Sequence, residues 1–148
     1  MKVVTGAIAI AAAVLGQAAL AGSVDVEYYS LPAESDLPFS EAVRVGHMLY
    51  LSGQIGFDSA TGKLVEGGIT AETHQTMKNI KASLEKHGSS LSEVVKCTVF
   101  LADVSEWADM SKAYISYFPA NKPARSALGA NGLALGARTE IECMATVQ

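Results

Sequence analysis

The chain predicts an α+β fold, one β-sheet with two helices packed on one of its faces. Three observations carry that expectation. Val94-Val95-Lys96-Cys97-Thr98-Val99-Phe100-Leu101 is a β-branched run of strand length. It lies between two stretches of helical periodicity, one with Met77, Ile80 and Leu84 at i, i+3 and i+7, the other with Trp107, Met110, Tyr114 and Tyr117. Strand candidates precede the first helix and follow the second, an order that layers helices on a sheet.

Residues 24–29 form the first strand candidate, followed by a loop rich in Pro and acid. Residues 42–45 and 48–52 are two strands joined at Gly46-His47, a hairpin link. Residues 53–58 and 61–63 read as a turn-rich loop. The first helix is expected to start near Thr70 as its cap, with Glu72 at its positive end. Lys78, Lys81 and Lys86 face away from the apolar stripe, and His87-Gly88 closes the helix. Asp103 or Ser105 caps the second helix, Trp107, Met110, Tyr114 and Tyr117 form its buried stripe, and Phe118-Pro119 ends it. Residues 125–130 and 139–147 are the last two strands. Alternation puts Lys96, Thr98 and Phe100 with Glu140, Glu142 and Met144 on the face away from the helices. That face is semi-polar without being a typical solvated one, which predicts assembly through the sheet.

The first 21 residues stand apart. MKVVTGAIAIAAAVLGQAALA opens with Lys2, runs through an apolar stretch and closes on Ala19-Leu20-Ala21, the pattern of a secretory signal peptide. A membrane anchor would need about 20 unbroken apolar residues with charged flanks; here Gln17 interrupts and no basic stop follows. The expectation is a signal peptide over residues 1–21 and one domain over residues 22–148, periplasmic or secreted, without membrane contact after leader cleavage. The formal net charge of −4, with no Lys or Arg cluster, argues against nucleic acid as a partner. Cys97 and Cys143 fit no zinc or redox spacing. Export makes a disulfide conceivable, but two buried thiols are the expectation.

No Gly-rich phosphate loop opens a helix, and no serine elbow or paired-Cys metal site is present. His47, His74 and His87 are not at ligand spacing and are read as surface or capping residues. Arg125 remains, set among small residues after Pro123-Ala124. A guanidinium stays charged and presents a planar fork matched to carboxylate. Its partner is either internal, Glu140 or Glu142 across the sheet, or a ligand.

Several stretches together resemble the Rid family, the YjgF-type reactive-intermediate imine/enamine deaminases: PFSEAVRVG, LYLSGQIGFDSATGKLV, HQTMKNIKASLEKHGSSLSEVVKCTVFLAD, YISYFPANKPARSA and TEIECMA. They run from Leu37 to about Val147. The resemblance implies a chorismate-mutase-like mixed sheet backed by two helices, with three subunits packing their sheets into a central barrel and clefts between neighbours. It implies hydrolysis of 2-imino and enamino acids to 2-keto acids and ammonia, with no metal or cofactor. The partners it implies are a small 2-imino or 2-keto carboxylate and two further copies of the chain.

By the same resemblance, Arg125 binds the substrate carboxylate, Glu140 positions the attacking water, and Ser52 and Gly53 line the pocket. Glu142 shares a face with Glu140 and is expected to pair structurally. Phe39 stands where tyrosine is common, Ser111 where asparagine is, Ala127 where cysteine is frequent, and Ala134 where proline is usual. These residues reshape the pocket. They leave open a trimeric small-carboxylate binding protein with little turnover, or a hydrolase of carbamate-like bonds on the same scaffold. The family's sheet order makes the strands of Cys97 and Cys143 neighbours. Bridges straight across adjacent strands are usually strained, so free thiols remain the expectation.

Overall fold

The computed structural model describes residues 23–33 and 35–148, so the signal-peptide expectation lies outside the described residues. Among these, the elements run β1 (Val26–Ser30), β2 (Ser40–Val45), β3 (Met48–Leu51), β4 (Gln54–Ile55), β5 (Phe57–Asp58), β6 (Lys63–Leu64), α1 (Gly68–Lys86), β7 (Val94–Leu101), α2 (Trp107–Ile115), β8 (Ala124–Gly129) and β9 (Thr139–Thr146). The α+β expectation holds. The main sheet is ordered β1-β2-β3-β9-β7-β8, with β4 also pairing with β9. β7 and β8 are parallel, joined through α2, and every other pair is antiparallel, so the sheet is mixed. β5 and β6 form a separate small ribbon in the segment read as loop. Strands of two residues carry no periodicity that a sequence can display.

Register fixes the two faces. Cys97 opposes Cys143 and Val99 opposes Ile141 on the helix side, while Thr98 opposes Glu142 and Phe100 opposes Glu140 on the other. Met77, Ile80 and Leu84 of α1 are fully buried in the core beneath the sheet, as their spacing predicts. On the far side, Tyr28, Val43, Tyr50 and Met144 form one row across β1, β2, β3 and β9. Tyr28 is 70% exposed in the single chain and Tyr50 is exposed as well. This is the face whose composition predicted assembly.

Three local expectations need correction. α1 begins at Gly68 behind a left-handed Gly67, with no side-chain cap, and Thr70 is an exposed residue inside the helix. Burial of Ile69 draws the first turn onto the core, and glycines at 67 and 68 provide the positive φ of the entry. Glu72 is buried rather than at a solvated helix end, and its carboxylate accepts the Arg138 N–H at 2.8 Å. α2 ends at Ile115, after which Ser116, Tyr117 and Phe118 continue in tighter i→i−3 bonds. Asp103 does cap the turn that enters α2, accepting from Ser105 N–H at 2.9 Å.

The largest correction concerns the cysteines. Cys97 and Cys143 form a disulfide, with Cα atoms 4.1 Å apart and both residues buried. They sit directly opposite in the β7–β9 register, in the close type of antiparallel pair. The free-thiol expectation took a bridge straight across neighbouring strands as disfavoured, and that direct cross-strand bridge is the one that forms. With its ends 46 positions apart in sequence, the bridge is expected to stabilise the fold by about 4 kcal/mol through loop-closure entropy. Urea unfolding of a Cys97→Ala/Cys143→Ala double variant measures the loss. Two titratable thiols in the denatured, unreduced parent would contradict the bridge.

Candidate functional site

Arg125 lies on β8, an edge strand that pairs only with β7. It is the parallel partner of Cys97 and therefore shares the helix face. Its guanidinium rests on α2. The Cζ atom is 5.2 Å from the centre of the Trp107 ring and 5.0 Å from that of Tyr114. Nη2 donates to Ser111 Oγ at 3.0 Å and Nη1 to the Met110 sulfur at 3.9 Å. Among the described residues no carboxylate lies within ion-pair distance of Arg125, so the alternative pairing with Glu140 or Glu142 does not form. Guanidinium has five N–H donors. Those left over by Ser111 and Met110 are available to an anion. Ala127, two residues on along the same face, packs partly buried against the core.

The helical stripe read as core is core at Met110 and Tyr114, with Tyr117 packed against it, and it also cradles the arginine. Met110 and Tyr114 are buried, but Trp107 is 46% exposed, contrary to expectation. Among the described residues no strand lies beyond β8, and the outer side of the indole is left open. Burial pushes the Tyr114 phenol up to about 12, against the opposing pull of Arg125, so it stays neutral. Trp107 and Tyr114 are functional candidates that sequence reading missed. Their i, i+7 spacing is also what a buried stripe requires, and only the position of Arg125 distinguishes the two.

Glu140 belongs to a second cluster. It stands on the open face of β9, opposite Phe100 and Ile55. Its carboxylate rests against Gly53, where an added Cβ would overlap the carboxylate oxygen and come within 2.9 Å of Cδ. Gly53 does not have a positive φ, so the glycine provides space rather than conformation. The Ser52 hydroxyl donates to the Ser40 carbonyl at 2.7 Å and the Ser52 N–H to the Glu41 carbonyl at 3.1 Å. These bonds tie the Ser52-Gly53 break to β2 just after Phe39, which is 49% exposed. On the water-positioning role that the family resemblance implies for Glu140, a Gly53→Ala variant is expected to fold and to lose about 100-fold in turnover by displacing that carboxylate. Imine kinetics beside a thermal melt checks both halves of that expectation.

Burial raises the Glu140 pKa, and the charge of Glu142 adds to the shift. The structural pairing expected of Glu142 does not form, since its carboxylate has no hydrogen-bond or ion-pair partner among the described residues. It acts instead as a like charge two residues along the same face. Removing that charge lowers the Glu140 pKa and keeps the carboxylate ionised to lower pH. Glu142→Gln is therefore expected to move the acid limb of a kcat/KM profile to lower pH, by part of the shift only, because burial is the larger cause.

The structure thus groups Arg125 with Ser111, and Ala127 on the same face, in one half-site. It groups Glu140 with Gly53, and Ser52 next in the chain, in another, while Phe39 is placed only by its adjacency to Ser40. The two halves lie on opposite faces of the same sheet and do not meet within one chain. Among the histidines, His87 caps α1 as predicted, its side chain largely buried against Tyr29 at 4.2 Å between ring centres. His74 faces Tyr117, with Nδ1 3.2 Å from the hydroxyl.

The fold and this site define a two-layer α+β protein with an unpaired, aromatic-bracketed arginine at its sheet edge. The model of the family described as Endoribonuclease L-PSP matches residues 32–147. The chain is 43% identical over 108 residues to a RutC family protein of Pyrococcus horikoshii, covering 73% of this chain and 86% of that one. It is also 43% identical to human 2-iminobutanoate/2-iminopropanoate deaminase, covering 73% and 79%. Among solved structures, the Rid-family protein YyfA of Yersinia pestis superposes with a TM-score of 0.76 at 35% identity, covering 83% and 100%. The chain belongs to the Rid family, the YjgF-type proteins that the Endoribonuclease L-PSP model describes.

Proposed function

We propose that this chain is a deaminase-like enzyme that hydrolyses 2-imino and enamino acids to 2-keto acids and ammonia without metal or organic cofactor. The observation that carries the reading is Arg125, whose guanidinium is held in place by uncharged groups and left without a carboxylate. A site of that kind suits the carboxylate of a small acid. The activity named for relatives from human, mouse and rat, at 41–43% identity, supports the same class. The family model's description names an endoribonuclease. A net charge of −4 with no basic cluster offers no footprint for a phosphodiester backbone and favours a small anion instead.

The chemistry needs few parts. Arg125 grips the carboxylate and fixes the C=N carbon. Glu140 accepts a proton from water as the water oxygen bonds to that carbon. The proton then passes to the nitrogen, the C–N bond breaks as the hydroxyl gives its remaining proton to Glu140 and becomes the carbonyl, and ammonia leaves and takes that proton up as ammonium. A protonated imine is already electrophilic, so no further activation is needed. Because the half-sites face opposite ways, the working cleft is read as lying between copies, Arg125 from one and Glu140 from its neighbour. The open, partly apolar sheet face supports a homotrimer packed through its sheets. The leader-like first 21 residues support an exported protein, with imines formed outside the cytoplasm as its substrates.

The test generates 2-iminobutanoate with an amino-acid oxidase and follows its loss. Accelerated loss with purified protein is expected. Decay at the uncatalysed rate, with 2-oxobutanoate still bound, would replace the enzyme by a carboxylate-binding protein.

A further inference from the structure

We infer that Trp107 is a specificity-determining wall of the Arg125 site, favouring 2-imino acids with a large apolar side chain over the two- and three-carbon ones. The inference rests on the carboxylate role proposed for Arg125. Two rings bracket that guanidinium at almost equal distance, and they differ in what else they touch. Tyr114 is closed, 2% exposed and packed on Phe118 at 4.9 Å between ring centres. Trp107, the chain's single tryptophan, leaves nearly half of its surface open beside the same guanidinium. A carboxylate taken by the free N–H groups of Arg125 brings its α-carbon and side chain within reach of that open ring. The neighbouring Ala127 and Ser111 are small and leave room for bulk.

The chain beside the ring is also tied down. The preceding residue, Glu106, is ion-paired through both carboxylate oxygens with the Arg138 side chain, and the Arg138 N–H is held by the buried Glu72 carboxylate at 2.8 Å. An indole carried on the tied-down start of α2 and set over Arg125 presents apolar area to the ligand. A methyl group is too short to cover it, whereas a branched or aromatic side chain removes both surfaces from water.

The experiment uses stable keto acids, so that it does not depend on turnover. Calorimetric Kd values for 2-oxopropanoate and 4-methyl-2-oxopentanoate are measured on the parent, Trp107→Ala, Trp107→Phe and Arg125→Ala, with the mass of each assembly. The parent is expected to bind the branched acid at least about tenfold tighter, and Trp107→Ala to bring the two within about threefold, while Trp107→Phe keeps most of the preference. An even-handed parent, or a preference that survives Trp107→Ala, overturns the inference while leaving the Arg125 site intact if Arg125→Ala still abolishes binding of both. Loss of preference accompanied by a change in assembly mass also overturns it, making Trp107 an interface residue. If Arg125→Ala binds both acids as the parent does, the site reading itself fails and the inference with it.

Discussion

Replacing Arg125 by Ala is expected to lower kcat/KM for 2-iminobutanoate by about 10²–10⁴, because hydrogen bonds to a charged group contribute about 1.5–3 kcal/mol each and a bidentate grip makes two. Part of the loss is binding and part is orientation, so KM should rise and kcat fall together. Stability should change little. Among the described residues Arg125 has no charged partner to strand, and its contacts there are two ring faces, one hydroxyl and one thioether. Arg125→Lys should recover only a small part of the activity, since an ammonium keeps the charge but lacks the planar fork. If Arg125→Ala hydrolysed the imine as fast as the parent, the guanidinium would have no place in the chemistry.

Glu140→Gln is expected to lower kcat by about 10²–10⁴, the usual range for a positioned acid–base group. Glutamine has nearly the same shape, so it should still fit against Gly53 and leave 2-keto acid binding by Arg125 intact. Kinetics beside calorimetry separates the two roles. Unimpaired binding with lost turnover assigns Glu140 to the water. Parallel loss of both would assign it to the architecture of the cleft. The upward direction of the Glu140 pKa, caused first by burial and then by Glu142, makes the carboxylate a stronger base than a solvated one.

Much of the fold was legible because its longer elements carry their own periodicity. β7 runs over the residues expected of it, its β-branched alternation being complete in eight residues. Met77, Ile80 and Leu84 are buried as their spacing requires. Illegible parts depend on partners distant in sequence. The short β4, β5 and β6 exist only as pairings, β4 with β9 and β5 with β6. Thr70 had the chemistry of a cap, but the burial of Ile69 and two glycines placed the start before it. Cys97 and Cys143 could be given a common face but not a common register position.

The site was legible in its residues and not in its layout. Arg125 and Glu140 begin consecutive strands, and consecutive strands suggest a shared pocket. In the sheet, β7 lies between β8 and β9, and alternation sends the two side chains to opposite faces. Trp107 was hidden for a related reason. A stripe at i, i+3 and i+7 is apolar whether it covers a core or an arginine.

That layout makes subunit mixing the most direct test of the central claim, that Arg125 and Glu140 act together across two chains. Arg125→Ala and Glu140→Gln chains are each expected to be nearly inactive alone. Unfolded together, refolded in equal amounts and assayed on 2-iminobutanoate, they should regain about a quarter of parental activity, since random assembly of a cyclic trimer gives that share of clefts both native residues. A mixture no more active than its components, although shown by mass to contain both chains, would contradict a cleft shared between copies.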